Sequence, residues 1–362
     1  MREQINQKVH NQERISEQEA LWLYQKAEMQ DLRQWATTVR NRFHPPNQAT
    51  YLVMRIINYT NICVALCDYC AFYRLPKSPE GYVLSQQQIF DKIEELVGLG
   101  GDFVGFNGGF NPKLKIEWYE ELFSKIRARF GDSVEFYGLT VAELMYIAKL
   151  SRLDYETAAG RLKAAGVRWI TGGGAEILTN AFRERHSPQK YTADDYMDAQ
   201  AAIIRAGLNT TATMVIGFDE TLEERVEHLS RVRKLQDETN GLFSLLSWTY
   251  KPDNTELGGQ ELGPEAYWRH LAISRLFLDN VRHIRTSVLT QNENALHGLH
   301  YGADDFDVPI EDQVTQLAGA TINRDVQAVL AACRKEGFEP HYRFIAKNPA
   351  NRFHPNVLQG AP

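Results

Sequence analysis

The residues most suited to chemistry are three cysteines crowded into one short stretch. The segment ICVALCDYCAFYR, residues 62–74, places Cys63, Cys67 and Cys70 in a C-x3-C-x2-C arrangement. The chain has one further cysteine, Cys333, far away in the sequence. In a reducing compartment, clustered thiols indicate metal or redox chemistry rather than a disulfide framework.

The number of ligands indicates the kind of metal site. A structural zinc site needs four ligands closed around the ion, often as two separated pairs, and this chain offers a single triplet. Three thiolates on a [4Fe–4S] cluster leave one iron open, and an open metal position is what a catalytic site needs. An iron–sulfur cluster is therefore favoured, and a zinc site or incidental buried cysteines are the alternatives.

The elements that must position the cysteines alternate between strands and helices. Apolar runs of strand length at 51–62 and 209–217 are separated by helical patterns such as 85–99 and 116–130. This order predicts right-handed βαβ units and a parallel sheet. Seven or so units favour an α/β fold of the (β/α)8 TIM type over an open sheet. The cysteines then lie on the loop after the first strand, at the rim where barrel active sites form.

Three regions are predicted along the chain. Residues 1–48 form an N-terminal helical extension, because apolar side chains recur at helical spacing over 16–42. Residues 49–343 form the barrel, and residues 344–362 form a C-terminal tail.

Composition excludes several classes of partner. The formal net charge is −6, and no long Lys/Arg tract is present, which argues against a nucleic-acid-binding surface. The N-terminus is polar and no apolar run is long enough to span a bilayer, so we expect neither a secretory signal nor a membrane partner. The expected location is cytoplasmic, and the expected partner is a small-molecule substrate.

The cysteine spacing resembles the signature of the radical S-adenosylmethionine (radical SAM) superfamily. The resemblance implies a [4Fe–4S] cluster on Cys63, Cys67 and Cys70, whose open iron binds the amine and carboxylate of S-adenosylmethionine. One-electron reduction would then yield methionine and a 5′-deoxyadenosyl radical. An external one-electron donor of the flavodoxin or ferredoxin type is implied as well.

Other motifs resemble the S-adenosylmethionine-binding elements of that superfamily. They are the aromatic residue before the third cysteine, the FNGGF stretch after the second strand, TGGGAEIL with AFRERHSPQK after the fourth, and MVIGFDET at the fifth. By resemblance they assign the cofactor to Tyr69, Asn107, Gly108, Gly109, Glu176, Arg183 and Gly217. Each has a structural alternative, such as a core aromatic, a strand-end turn, a surface charge or the start of a helix.

Longer segments resemble the dehypoxanthine futalosine cyclase family of the futalosine route to menaquinone, whose relatives are aminofutalosine synthase and the deazaflavin-forming synthases. They include INYTNICVALCDYCAFYR, SPEGYVLS and GLNTTATMVIG, and the likeness runs over about 20–343. The resemblance implies a cyclase or transferase that removes a hydrogen from a substrate sugar and forms a carbon–carbon bond to an aromatic ring. Inward strand positions are expected to contact the substrate: Asn58, Thr60, Tyr73, Arg74, Thr211, Thr213 and Trp248.

Four segments depart from the family pattern. They are NGGFNP, TVAE, SVLTQN and the stretch 302–320, where the family carries GANDFG and a double-Glu-Asn run. We expect all four on substrate-facing loops, with Asp304, Asp305, Asp307 and Asp312 either solvated or binding a cationic or hydroxyl-rich group. Two alternatives stay open: a divergent homologue acting on another nucleoside, aromatic or amino-acid-derived substrate, and a non-catalytic zinc or iron–sulfur protein.

Overall fold

Eight parallel strands close into a barrel in a computed structural model that describes residues 1–343. The barrel strands are β1 (Gln48–Ile57), β2 (Phe103–Phe106), β3 (Glu135–Thr140), β4 (Trp169–Thr171), β5 (Asn209–Ile216), β6 (Leu242–Thr249), β7 (His283–Ser287) and β8 (Asp305–Pro309). A ninth strand, β9 (Glu339–Tyr342), pairs with β1 outside the closed barrel. Strands β2 to β8 pair in sequence order, and β1 pairs with both β8 and β2, which closes the sheet. The predicted (β/α)8 TIM-type fold is confirmed.

Helices surround this barrel, and several begin at a capping residue that the sequence supplies. They are α1 (Arg2–Asn11), α2 (Glu17–Lys26), α3 (Met29–Arg40), α4 (Gln86–Gly98), α5 (Ile116–Phe130), α6 (Val141–Ser151), α7 (Tyr155–Ala164), α8 (Asn180–His186), α9 (Ala193–Arg205), α10 (Leu222–Thr239), α11 (Pro264–Phe277), α12 (Val288–Gln291), α13 (Asn294–His297), α14 (Gln313–Leu317) and α15 (Val326–Lys335). At α4, for example, Ser85 accepts a hydrogen bond from the Gln88 backbone while the Gln88 side chain bonds back to Ser85. No helix among the described residues has the length and apolar composition needed to cross a bilayer.

The terminal regions differ from the prediction in detail. The helical pattern over 16–42 is two helices, α2 and α3, and a third helix, α1, precedes them. Helix α3 packs against α11, and β9 adds a short parallel strand beside the start of β1. The division into three regions stays a prediction, and the proposed tail, 344–362, lies outside the described residues.

The barrel interior is filled at its amino-terminal end and open at its carboxyl-terminal end. Inward-facing apolar residues close the lower end in one cluster: Leu52, Met54, Phe103, Tyr137, Trp169 and Phe243. The aromatic rings in it meet edge to face, as Phe103 and Tyr137 do with centroids 4.6 Å apart. Ligands can therefore enter only from the carboxyl-terminal rim.

The stretch 302–320 does not form one solvated loop, and that expectation is wrong. Residues 305–309 are the eighth barrel strand, and Asp304, just before it, is buried at the end of the barrel remote from the rim. Asp304 pairs with Arg275 at 2.6 Å and with His283 at 2.6 Å. A carboxylate in such a place needs cations around it, so Asp304 has a structural role.

Asp305 and Asp307 are also not solvated, because both belong to an ion-pair network inside the barrel. Arg285 donates to Asp305 at 2.9 Å and also to Asp307, and Arg343 lies 3.0 Å from Asp305 and 3.3 Å from Asp307. This network forms the polar part of the barrel floor. Among the four aspartates, Asp312 is the one that follows the strand and lies at the rim.

Candidate functional site

A cavity of about 310 Å³ opens above the barrel floor at the carboxyl-terminal ends of the strands. All eight barrel strands or the loops after them contribute to its wall, and Cys63, Cys67 and Cys70 line it together. The cysteine loop follows β1 directly. The placement is the one expected for an active site on a barrel of this type.

Backbone hydrogen bonds fix the conformation of the cysteine loop. Cys63 donates its N–H to the Arg74 carbonyl at 2.9 Å, and Val64 donates to the Phe110 carbonyl at 3.2 Å. The backbone N–H groups of Ala65 and Phe110 lie 3.4 Å and 3.2 Å from the Cys63 sulfur. Donors aimed at a sulfur stabilise its thiolate and tune the potential of a cluster bound there.

The thiols are spaced for a cluster rather than for a single ion. A zinc ion with bonds of about 2.3 Å to sulfur would draw its ligand sulfurs to within about 3.8 Å of one another. In the described part of the chain, the sets of potential metal ligands with all atoms within 4.8 Å of one another do not include the cysteine triplet. Three sulfurs set wider apart, facing one cavity, fit a group as large as [4Fe–4S].

Burial disfavours the thiolate form of two of the cysteines, Cys67 and Cys70. It raises the pKa of Cys67, and it raises the pKa of Cys70 to about 12. A bound metal would replace these protons, since the thiolate is the form that ligates. Cys333 lies apart from this site, buried in α15 with its Sγ 3.5 Å from the Phe338 carbonyl.

Two cations share one carboxylate beside the cysteine loop. Arg183 donates to Glu176 at 2.7 Å, and the Lys190 ammonium lies 3.2 Å from the same carboxylate. Although burial raises the pKa of Glu176, Lys190 and Arg183 outweigh it and lower that pKa overall. The Arg183 Nε and one terminal nitrogen are buried without a partner among the described residues. The spare donors and the net positive charge suit a further anionic group, such as the carboxylate of S-adenosylmethionine.

The glycine segment after β2 is packed too closely for any side chain. A Cβ on Gly108 would lie 2.6 Å from the Tyr59 ring, and a Cβ on Gly109 would lie 2.4 Å from the Ile62 carbonyl oxygen. The backbone N–H of Gly109 donates to the Thr60 carbonyl at 2.9 Å. Backbone groups of this segment can therefore come close to a ligand in the cavity.

The structure brings many of the predicted site residues together, but not all. The cavity wall includes Tyr69, Tyr73, Asn107, Gly108, Gly109, Glu176, Thr211, Thr213 and Trp248. Of the described residues that we predicted for the site, Asn58, Thr60, Arg74, Arg183 and Gly217 are not part of that wall.

These five residues have other contacts. Thr60 donates to the Tyr82 carbonyl at 2.7 Å, and Asn58 donates to the Asn107 carbonyl at 3.0 Å. Arg74 pairs with the exposed Glu80. Arg183 reaches the cavity through Glu176, and Gly217 donates to Glu220 at 2.8 Å in a left-handed conformation with φ of 96°.

Two cavity residues, Arg285 and Lys251, were not predicted from the sequence in any form. Glu143, Asp307 and Asp312 also line the cavity; they lie in segments that we expected on the substrate-facing side, without being named as site residues. Glu143 carried a readable signal, since Thr140 and Glu143 form a capping box at the start of α6. The capping box did not predict that Glu143 also accepts a hydrogen bond from the Gly108 N–H at 2.9 Å.

Comparison with known proteins agrees with this geometry. Residues 57–232 match the radical SAM superfamily model, and residues 239–354 match the CofH/MqnC C-terminal region. The chain is 38% identical to cyclic dehypoxanthine futalosine synthase of Halalkalibacterium halodurans, over 94% of this chain and 92% of that protein. It is 33% identical to aminodeoxyfutalosine synthase of Thermus thermophilus, over 87% of this chain and 86% of that protein.

Solved structures show the same fold at lower sequence similarity. Methylornithine synthase (PylB) superposes with a TM-score of 0.72 and 16% identity, covering 95% of this chain and 99% of that one. Enzymes of the matched superfamily work with a [4Fe–4S] cluster and S-adenosylmethionine, and the cavity has donors that fit both. The chain therefore belongs to the radical SAM superfamily of enzymes, in the group that shares the CofH/MqnC C-terminal region.

Proposed function

We propose that this enzyme catalyses a radical cyclisation of a nucleoside-type substrate in menaquinone biosynthesis, the reaction of a cyclic dehypoxanthine futalosine synthase. The observation that carries the proposal is that the cysteine triplet, Glu176 and Lys190 line a single cavity, with Arg183 paired to Glu176 behind it. The identity of 38% over nearly the whole chain supports it.

In this proposal the protein holds two groups at the rim. Cys63, Cys67 and Cys70 would ligate the cluster, and S-adenosylmethionine would contact Tyr69, Asn107, Gly108, Gly109 and Glu176. Arg183 would act through Glu176, and Gly217 would shape the loop after β5. When reduced by one electron, the bound pair supplies a 5′-deoxyadenosyl radical. Arg183 and Lys190 provide the positive charge for the carboxylate of the methionine moiety.

The substrate would occupy the deeper part of the cavity. Tyr73, Thr211, Thr213 and Trp248 lie on its wall and would contact the substrate, while Asn58 and Thr60 brace the adjoining loops. Arg74, which pairs with Glu80, would act at the loop surface. The closed floor excludes water below the substrate, and the wall residues orient the sugar, so a reactive radical meets one intended C–H bond.

The electron must come from outside the chain. We propose a flavodoxin- or ferredoxin-type donor that approaches the cysteine loop, where Leu66 is 43% exposed and Leu75 is 54% exposed. A thiolate-held cluster persists in reducing surroundings, so we place the enzyme in the cytoplasm.

Anaerobic reconstitution tests the proposal. The protein should turn brown and form 5′-deoxyadenosine from S-adenosylmethionine when given a reductant. With dehypoxanthine futalosine it should yield a product lighter by two hydrogens in mass spectrometry. Replacing Cys63, Cys67 or Cys70 by Ala should abolish cleavage, and Cys333→Ala should not. A colourless protein holding one zinc ion would refute the proposal.

A divergent homologue with another substrate is the second candidate. It is favoured by the departures in TVAE (140–143) and SVLTQN (287–292), since Thr140, Glu143, Ser287 and Thr290 line the cavity. The Asp304 departure no longer supports it, because that residue lies at the remote end of the barrel. Formation of 5′-deoxyadenosine without conversion of dehypoxanthine futalosine would select this candidate.

A further inference from the structure

Four carboxyl groups line the cavity, and three of them are either paired with cations or surrounded by hydrogen-bond donors. Glu176 is paired with Arg183 and Lys190, and Asp307 is paired with two arginines of the barrel floor. Glu143 accepts hydrogen bonds from the Tyr59 hydroxyl, the Gly108 N–H, and the N–H and hydroxyl of Thr140. The first two carboxylates are paired with cations, and the third has a donor for each of its four lone-pair directions.

Asp312, the fourth, has a different environment. It is 3% exposed and begins α14, where Oδ1 accepts from the Val314 N–H at 3.3 Å and Oδ2 accepts from the Thr315 hydroxyl at 2.8 Å. Within residues 1–343 no cation pairs with it. Burial raises the pKa of Asp312, although hydrogen bonds from Thr315 and Asn58 partly oppose that effect. Its carboxylate therefore has a greater affinity for a proton than an ordinary aspartate.

The loop that carries Asp312 is fixed against the neighbouring strand. The Gln313 N–H donates to Asn58 Oδ1 at 2.8 Å, and the Tyr82 hydroxyl donates to Gln313 Oε1 at 2.9 Å. The adjacent carboxylate, Glu311, forms ion pairs with Arg55 and Lys92, both at 2.6 Å. Asp312 is thus held at the cavity wall without a competing charge beside it.

We propose that Asp312 is the proton acceptor in the last step of the cyclisation. The inference rests on the proposed function, in which a sugar-carbon radical adds to an aromatic ring. The adduct is a cyclohexadienyl radical with a hydrogen on the attacked carbon. That hydrogen leaves as a proton to the Asp312 carboxylate, and one electron leaves to a one-electron acceptor of the iron–sulfur class. The electrons of the broken C–H bond restore the aromatic ring.

The surroundings of Asp312 suit this step better than those of the two cation-paired acids, Glu176 and Asp307. Protonation turns the buried carboxylate into a neutral acid, which the apolar wall favours. Protonating Glu176 or Asp307 would instead leave buried cations without their partners. A positioned base typically contributes about 10²–10⁴-fold to a rate.

The test uses the reconstituted enzyme and dehypoxanthine futalosine that carries deuterium at the sugar carbon attacked by the adenosyl radical. Two quantities are measured: deuterium in 5′-deoxyadenosine, and cyclised product formed per 5′-deoxyadenosine. Asp312→Asn should still transfer deuterium, while product per 5′-deoxyadenosine falls by at least about tenfold. The matched control is Asp325→Asn, an exposed aspartate that caps α15 through the Ala328 N–H at 3.0 Å, and its ratio should be unchanged.

The outcomes distinguish a failure of this inference from a failure of the proposed function. An unchanged ratio in Asp312→Asn overturns the role of Asp312 alone. Failure of the parent enzyme to transfer deuterium overturns the proposed function and this inference with it. If Asp312→Asn does not fold, Asp312→Glu decides, since it keeps the charge but displaces the carboxylate by one methylene. A lower ratio there supports the inference, and an unchanged ratio overturns it.

Discussion

His186 Nδ1 lies 2.9 Å from a carboxylate oxygen of Asp68, the residue between Cys67 and Tyr69. The other ring nitrogen lies 2.7 Å from Asp219, in the loop after β5. The Asp68 N–H also donates to the His186 carbonyl at 3.3 Å. The buried His186 side chain, on α8, therefore links the cysteine loop to the loop after β5 by hydrogen bonds.

Removing the His186 hydrogen bonds should make the cysteine loop less rigid. In His186→Ala, two hydrogen bonds to carboxylates are lost, each of which contributes about 1.5–3 kcal/mol. We expect iron to leave the reconstituted protein several times faster when a chelator is added under anaerobic conditions. Arg185→Ala is the control, because within residues 1–343 Arg185 pairs with Asp219 and Glu224 but not with Asp68 of the cysteine loop. Equal rates of iron loss in the two variants would contradict this role.

A methyl group on Gly109 should prevent assembly of the site. The added Cβ would lie 2.4 Å from the Ile62 carbonyl oxygen and 2.8 Å from the Cys63 Cβ, so the cysteine loop itself would have to move. We expect Gly109→Ala to keep the circular dichroism of the barrel but to bind little iron. Gly160→Ala, in α7, meets no atom within 4 Å and should bind iron normally, with stability unchanged or higher by about 1 kcal/mol. Full iron content in Gly109→Ala would refute the packing argument.

The sequence was sufficient for the elements whose apolar pattern is local. Helix α5 was predicted at its observed bounds, 116–130, because a single amphipathic period runs through it. Strand β8 was missed because two of its five residues are the acids Asp305 and Asp307, which hide the apolar pattern of a strand. Their partner Arg343 lies far away in the sequence, and only the closed barrel brings it to them.

In the site, too, local patterns could be predicted from the sequence and contacts between distant residues could not. The cysteines could be predicted because their spacing is itself the signal, and the cofactor motifs could be located because each follows a strand. The contact between Glu143 and Gly108 spans 35 positions and two strands, so no local pattern contains it. For Asp312 the sequence left two alternatives open, a solvated carboxylate or one that binds a ligand, because burial on the cavity wall depends on where β8 lies.

The ion-pair network of the barrel floor should be costly to break. Arg285→Met would leave the buried Asp305 and Asp307 with Arg343 as their remaining partner, and breaking a buried pair typically costs about 3–5 kcal/mol. Urea denaturation should show this loss in the free energy of unfolding. Arg205→Ala removes a surface pair with Glu156, in which both side chains are more than half exposed, and should change stability by less than about 1 kcal/mol. A similar small loss in both variants would show that the network does not contribute as proposed.

Two buried histidines should make the protein sensitive to acid. Burial lowers the pKa of His228 to about 3 and that of His270 well below its usual range. In the unfolded chain both titrate near about 6.5. Between these values the unfolded state binds protons that the folded state does not, so the free energy of unfolding falls as the pH falls. At about pH 5 His228 should lower it by about 2 kcal/mol relative to neutral pH, and His270 should act in the same direction.

His228→Asn tests this origin of the acid sensitivity. The Asn side chain keeps an acceptor for the Leu178 N–H, which lies 3.0 Å from His228 Nδ1, but it does not titrate. Urea denaturation at about pH 7 and about pH 5 should therefore show a loss on acidification that is smaller than in the parent by about 2 kcal/mol. His10→Asn, at an exposed position on α1, should lose as much stability as the parent. If His228→Asn loses as much stability on acidification as the parent, His228 does not cause the acid sensitivity, and other groups do.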